Sequence, residues 1–221
     1  MVAAARDARP PDTIDSAAPR SGAEVPLMAR LKFRTRPQHE ALHRRGALFL
    51  LMRLRLAPTA YRCILERFDA FLMAAETQVL AAADDWLAAA GFVRASRRPG
   101  LARDLAMLRD AGVPPTPDGG AAPLTLDVPA GPGAALGLLY VVEGSRLGGQ
   151  VLARRVGRAL PSGMDGATHF LGSPGLDVSE HWRHVGTVIN TLGDDPEVSE
   201  EACLAAQMAF TRLSELFDEV P

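Results

Sequence analysis

Apolar residues along most of this chain recur at steps of three and four, which is the period of an amphipathic helix. Helices are predicted after Pro58, between Arg98 and Gly112, from about Leu138, from Ser199, and in a segment that Ser179 would cap and Gly193 would close. Their predicted inner positions are Tyr61, Ile64, Leu65, Phe68, Leu72, Ala75 and Val79; Leu101, Leu105 and Leu108; Trp182, Val185, Ile189 and Leu192; and Ala206, Phe210, Leu213 and Phe217. No convincing strand is found. We therefore expect six or seven helices in an all-α fold, a single-domain irregular helical bundle.

The predicted helix from Leu138 to Arg158 is unusual because it contains Gly144, Gly148 and Gly149. Each glycine inside a helix costs about 1 kcal/mol relative to alanine. Gly144 and Gly148 are four residues apart and share one face, so they leave a strip of bare backbone. Either another helix packs closely there, or a planar ligand lies against the strip with the Ser145 hydroxyl nearby.

A second notable stretch lies early in the chain. Thr35 and Gln38 have the spacing of a capping box, and Pro37 suits only a first helical turn, so a helix should begin or bend here. If the preceding residues are also helical, Leu31, Thr35, His39 and Leu42 share one side and His39 faces inward. Such a histidine is either a hydrogen-bonded core residue or a ligand.

The same stretch fits the zinc-peptidase pattern H-E-x-x-H, from His39 to His43. A catalytic zinc site needs three protein ligands and one open position. The position where a third histidine would belong is Phe49, and no other histidine precedes His169. A zinc hydrolase therefore stays an alternative with an incomplete site.

Composition narrows the class of protein. The chain has 221 residues, a net charge of −2 and 48% hydrophobic residues, which suits a globular protein without the basic excess of a nucleic-acid binder. No apolar run reaches the length of a membrane span. Cys63 and Cys203 form no CxxC motif, which favours a reducing compartment. Residues 1–26 lack the apolar core of a signal peptide, so we expect a disordered tail followed by one domain over residues 27–221.

Two segments together resemble the haem oxygenase family, especially the bacterial type that supplies bilin to phytochromes. Leu139 to Leu152 resembles the distal helix of that family, and Thr35 to Glu40 resembles its proximal segment, in which the histidine ligates the haem iron. The resemblance spans roughly residues 27–218. It implies that His39 is the iron ligand. It also implies a distal catalytic wall of Gly144, Ser145 and Gly148, and haem contacts from Lys32, Tyr140 and Arg183, with Arg212 as a further basic candidate.

The resemblance further implies the reaction. Haem, as substrate and cofactor at once, would be cleaved by dioxygen to biliverdin, ferrous iron and carbon monoxide, with electrons from a donor such as ferredoxin or a reductase. We expect a cytoplasmic monomer without nucleic-acid or membrane partners, and the basic stretch from Arg154 to Arg158 could dock an acidic donor. Animal members carry aspartate at the position of Ser145, whereas bacterial members commonly have serine. A haem or tetrapyrrole carrier or sensor that does not degrade its ligand is therefore the alternative.

Overall fold

The computed structural model describes residues 25–44, 47–117 and 124–218, except the side chains of residues 43, 44 and 47. Within these ranges the regular structure is helical and contains no strand, which confirms the predicted all-α fold. A short 3-10 helix spans Leu80–Ala83, and the α-helices are α1 (Leu27–Arg44), α2 (Ala47–Leu50), α3 (Pro58–Gln78), α4 (Asp84–Ala89), α5 (Arg98–Asp110), α6 (Pro132–Ala159), α7 (His169–Gly172), α8 (Val178–Leu192) and α9 (Pro196–Asp218). The tail predicted for residues 1–26 lies outside the described residues, apart from its last two positions.

The long apolar stripes form the core as predicted. The seven predicted stripe residues from Tyr61 to Val79, six in α3 and Val79 directly after it, are all buried, and so are Ala206, Phe210, Leu213 and Phe217 of α9. The Tyr61 hydroxyl donates a hydrogen bond to the carbonyl of Ala167 at 2.8 Å. Leu105 is only partly buried. None of the helices in the described ranges is long and apolar enough to cross a membrane.

Helix α9 organises the fold because α1 and α6 both pack along it. Arg30 of α1 donates a hydrogen bond to Ser199 at 2.5 Å, and further along α1 the carbonyl of Arg34 accepts one from Gln207 at 2.9 Å. On the other side, Gly137 of α6 lies against the backbone of Ala202. The position numbers rise together along each pair, so all three helices run in the same direction.

Close packing between α6 and α9 requires glycine. A Cβ at Gly137 would lie 2.4 Å from the carbonyl oxygen of Ala202, and a Cβ at Gly133 would lie 2.4 Å from the Cβ of Glu201. These separations are far below any normal contact, so neither position accepts a side chain without movement of α9. Helix packing thus explains the glycines in the first turns of α6.

Two predicted helix caps are wrong, and α6 and α9 begin earlier than predicted, at Pro132 rather than about Leu138 and at Pro196 rather than about Ser199. Helix α1 begins at Leu27, so Pro37 lies in its interior and Thr35 is not a cap. The Thr35 hydroxyl instead donates a hydrogen bond to the carbonyl of Leu31 at 2.8 Å, one turn back in the same helix. In α8 the cap is Asp177, whose carboxylate accepts a hydrogen bond from the Glu180 amide at 2.9 Å.

Candidate functional site

The site begins where α1 and α6 meet through two side chains. Thr35 of α1 is 1% exposed and lies close enough to Tyr140 of α6 to affect the pKa of its hydroxyl. Burial raises the pKa of Tyr140, and the contact with Thr35 opposes that rise. One turn further along, α1 carries His39 and α6 carries Gly144. We call the space flanked by His39, Phe210, Gly144 and Gly148 the α1–α6 cleft.

His39 is exposed, although its ring is directed toward Phe210 of α9. Its ring meets the ring of Phe210 edge-on, with centroids 5.8 Å apart and an interplanar angle of 88°. The cleft therefore offers a histidine ring held from one side by an aromatic ring.

The zinc alternative gains no support from the described residues. No group of three or more histidine, cysteine, aspartate or glutamate side chains among them could hold a metal ion. The side chain of His43, the second histidine of the H-E-x-x-H pattern, lies outside the described part of the chain.

The three glycines of the predicted strip have different surroundings. A Cβ at Gly148 would meet nothing within 4 Å, whereas a Cβ at Gly149 would lie 2.5 Å from the carbonyl oxygen of Leu171. At Gly144 a Cβ would lie 3.1 Å from the indole of Trp182, which also contacts the Tyr140 ring at a centroid distance of 5.6 Å. Gly149 is therefore explained by helix packing, while Gly148 leaves bare backbone facing open space.

The Ser145 hydroxyl is hydrogen-bonded to a buried arginine. The Arg97 guanidinium donates hydrogen bonds to the Ser145 hydroxyl, to the carbonyl of Val142 at 3.1 Å and to the carbonyl of Phe170 at 3.2 Å. It also lies over the Phe170 ring, 4.4 Å from the centroid. The Ser145 hydroxyl in turn donates to the Val142 carbonyl at 2.8 Å. Its hydrogen-bonding capacity is thus largely used within the protein.

Arg97 is unusual because its charge is buried without direct contact to a carboxylate. Its Nε has no hydrogen-bond partner within the described structure. Burial lowers the pKa of Arg97 to about 9, and the positive charge of Arg146 acts in the same direction. A buried cation that is bonded only to neutral oxygens is costly, so its contacts with α6 and α7 have to be well aligned.

The short helix α7, which contacts both Gly149 and Arg97, is itself anchored by Asp104. This fully buried carboxylate accepts hydrogen bonds from the amides of His169 and Phe170, both at 2.9 Å. The His169 ring approaches the same carboxylate at 3.1 Å. Asp104 thereby fixes the carbonyls of Phe170 and Leu171 that position α6.

A second buried ionic group lies on the other side of α6. Glu143 is 2% exposed and accepts hydrogen bonds from Arg146 at 2.6 Å and from His181 of α8 at 2.8 Å. Burial alone would raise the pKa of Glu143, but its bonds with His181 and Arg146 outweigh that effect and hold the pKa below its ordinary value. This cluster fixes α6 to α8 at the level of Gly144.

The basic residues that were expected to contact haem do not all lie in the same place. Lys32 on α1 and Arg183 on α8 are both exposed and form no ion pair within the described residues. Arg212 pairs with Glu215 at 2.8 Å and lines a separate surface groove of about 380 Å³. Because Arg212 is two residues from Phe210, it lies on a different face of α9. The structure thus places His39 on α1 and Tyr140, Gly144 and Gly148 on α6, with Gly144 against Trp182, and leaves Arg212 beside a groove of its own.

Sequence reasoning missed Arg97 and Trp182 as parts of the site. Arg97 stands next to Arg98 in an ordinary basic run, and nothing in the sequence distinguishes the buried arginine from its neighbour. Trp182 was predicted only as an inner residue of α8. Its position over Gly144 depends on how α8 crosses α6, which periodicity does not give.

The chemistry of the cleft suits a flat, mainly apolar ligand. An exposed imidazole on one side can donate a nitrogen lone pair to a metal at the centre of such a ligand. On the other side, open backbone at Gly148 allows close approach of a planar surface. These features match the requirements of a porphyrin held between two helices.

Comparison with known proteins identifies the family. The family model described as Heme oxygenase matches residues 25–219, so the chain belongs to the haem oxygenase family. A relative named heme oxygenase, from Xanthomonas campestris pv. campestris, is 32% identical over 157 residues, which cover 68% of this chain and 84% of the relative.

Solved structures share the fold. The heme oxygenase from Leptospira interrogans superposes with a TM-score of 0.69 at 18% identity, covering 88% of this chain and all of that one. Heme oxygenase-1 from the cyanobacterium Synechocystis, in complex with heme, gives a TM-score of 0.68 at 20% identity, covering 88% of this chain and 92% of that one. The predicted haem-oxygenase-type helical architecture is therefore confirmed.

Proposed function

We propose that this protein is a haem oxygenase in activity as well as in family. It would cleave haem to biliverdin, ferrous iron and carbon monoxide, using dioxygen and electrons from a donor protein. The proposal is supported by the exposed ring of His39 beside Phe210, together with the open backbone at Gly148 of α6. Haem would be the substrate and would also supply the iron chemistry that the reaction needs.

Each residue of the cleft has a role in the proposal. The His39 imidazole would bind the haem iron from the α1 side, and Phe210 would fix the orientation of that imidazole. Gly148, without a side chain, would leave room for dioxygen on the α6 side. Lys32 and Arg183, both exposed and cationic, would pair with the haem propionates.

Proton supply in the proposal would depend mainly on ordered water and backbone groups. The Ser145 hydroxyl donates to the Val142 carbonyl and accepts from Arg97, so its own hydrogen is engaged inside the protein. Ser145 and Arg97 together would hold α6 at a fixed height above the haem.

Hemin titration tests the proposal. We expect a Soret band for a histidine-bound haem in the parent protein, loss of that band in His39→Ala, and its recovery when imidazole is added. The matched control is His184→Ala, because His184 is an exposed histidine on α8. Normal haem binding and turnover by His39→Ala would refute the assignment of the ligand.

The fate of the bound haem decides between the two candidate activities. Added ascorbate, or a ferredoxin system, should replace the Soret band with bilin absorption. The alternative of a carrier or sensor is favoured by one observation, the engaged hydroxyl of Ser145. Haem that persists under both reductants would support the carrier and contradict the oxygenase.

A further inference from the structure

We infer that Trp182 is a gate for haem entry: its indole covers Gly144 while the site is empty, and it swings aside when haem lies along the glycine strip of α6. The inference rests on the proposed function, because it concerns the entry of haem into the α1–α6 cleft. It adds a residue that controls this entry.

The benzene edge of the indole lies directly over the backbone of Gly144. Three carbon atoms of Trp182 are 3.1, 3.4 and 3.9 Å from the place where a Cβ on Gly144 would be. The same indole packs on the Tyr140 ring, with centroids 5.6 Å apart and an interplanar angle of 49°. Gly144 and Gly148 share one face of α6. The indole thus covers one half of the strip and leaves the other half, at Gly148, open.

Helix α8 brings Trp182 to the edge of the cleft because it contacts both α6 and α1. Trp182 and Gly186 are four residues apart and share one face of α8. Trp182 contacts Gly144 of α6, whereas a Cβ at Gly186 would lie 3.6 Å from the Cε of Met28 in α1. The Met28 amide also donates a hydrogen bond to the Asn190 side chain at 2.9 Å. The face of α8 that carries Trp182 is therefore turned toward both helices that flank the cleft.

The indole of Trp182 can rotate without disturbing the helix that carries it. The indole is only partly buried, and its N–H donates no hydrogen bond within the described part of the chain. The neighbouring His181, by contrast, bonds to Glu143 of α6 at 2.8 Å, and Asp177 caps the first turn of α8. Opening therefore needs rotation about the side-chain bonds of Trp182 and no movement of α8.

Packing against the indole does not by itself explain why residue 144 is glycine. A Cβ there would be tight against the outer carbons of a flexible side chain, which could shift slightly. At Gly149 the obstacle is instead the backbone carbonyl of Leu171, which cannot shift unless α7 moves. Glycine inside a helix is destabilising relative to alanine. The need for bare backbone at position 144 arises when the indole has left and a planar group lies in its place.

Stopped-flow mixing with hemin tests the gate. A protein that is open for only a fraction of the time binds its ligand less tightly by that fraction, and we expect association to slow accordingly. Trp182→Ala should therefore bind hemin several-fold faster than the parent protein, and Trp182→Phe, with its smaller ring, should lie between them. The matched control is Trp86→Phe, because Trp86 is a partly buried tryptophan of α4. This control should leave the association rate unchanged.

Dissociation rates distinguish a gate from a fixed wall. A wall retains bound haem, so its removal would speed dissociation and leave association unchanged, and this result would overturn the inference. Equal association rates in the parent protein and both Trp182 variants would overturn it as well. Bilin formation is a separate measurement. Haem that persists under reductant contradicts the oxygenase, whereas the association rates still decide whether Trp182 is a gate.

A second test needs no haem. The chain contains two tryptophans, so Trp86→Phe leaves Trp182 as the only one. In that background Gly144→Ala should displace the indole and increase the quenching of its fluorescence by acrylamide. Unchanged quenching would contradict the contact between Trp182 and Gly144 on which the inference depends.

Discussion

The backbone of Gly149 lies against the carbonyl of Leu171 so closely that a Cβ would be 2.5 Å from that oxygen, whereas a Cβ on the preceding Gly148 would touch nothing. Two adjacent glycines of one helix thus have different reasons to be glycine. Gly149 is required by the packing of α6 on α7. Gly148 has no such packing requirement and belongs to the proposed α1–α6 cleft.

Alanine at these two positions should have opposite effects on the haem-free protein. Gly148→Ala should raise the free energy of unfolding by about 1 kcal/mol, because alanine is the better helix former and meets no neighbour. Gly149→Ala should lower it by about 1 to 3 kcal/mol, because α7 must move. Denaturant unfolding measures both. Gly148→Ala should nevertheless weaken haem binding or turnover; a variant that is more stable and fully active would remove Gly148 from the site.

Glu143 should make stability depend on pH in the acid range. Its folded pKa lies below the ordinary value, so its contribution is present above about pH 4.5 and is lost as the pH falls through the folded pKa. Glu143→Gln should cost about 3 kcal/mol at pH 7, because Arg146 then keeps a buried charge without its partner. The difference in free energy of unfolding between the parent protein and Glu143→Gln should become smaller below pH 4. A difference that stays constant from pH 7 to pH 3.5 would contradict this account.

Arg97 and Ser145 should behave as a coupled pair. Arg97→Met removes hydrogen bonds to Ser145, Val142 and Phe170 and should lower the free energy of unfolding by about 2 kcal/mol. Ser145→Ala should have a smaller effect. A double-mutant cycle should give a coupling energy of about 1 kcal/mol, since both side chains form one bond. Additive effects would show that the bond contributes nothing to stability, and Arg97→Lys tests whether charge alone suffices.

The two tyrosines should resist ionisation until the protein unfolds. The chain contains only Tyr61 and Tyr140, and burial raises the pKa of both. Because the folded state holds these protons more tightly than the unfolded chain, stability is complete below about pH 10 and falls as the pH rises further. Phenolate absorbance near 295 nm should therefore lag behind that of free tyrosine and appear together with loss of helical circular dichroism. Early phenolate absorbance with intact helices would contradict the burial of Tyr61.

How far the sequence predicts the structure differs between its parts. The long stripes of α3 and α9 are predicted correctly because burial of an amphipathic face follows directly from its period. Helices α2, α4 and α7, with four to six residues each, have no periodic signal to detect. The start of α1 is misplaced because Pro37 is tolerated inside this helix, where local rules would end one.

The candidate site shows the same division. His39 and the glycines of α6 are visible in the sequence because their residue types are rare in such positions. Whether a given glycine faces open space or packs against another helix depends on which helix crosses it. Only the structure shows that Gly148 and Gly149 differ in this respect. Arg97 is recognised only once α5, α6 and α7 are seen to meet.

The pairing of α1 with α9 has a consequence for biosynthesis. Arg30 and Arg34 bind Ser199 and Glu200, which follow them by more than 160 positions in the chain. Helix α1, which carries His39, is synthesised first. It cannot pack against α9 until nearly the whole polypeptide has emerged from the ribosome. Under the proposed function, a nascent or prematurely terminated chain would therefore lack a formed haem site, and haem would bind only after synthesis is complete.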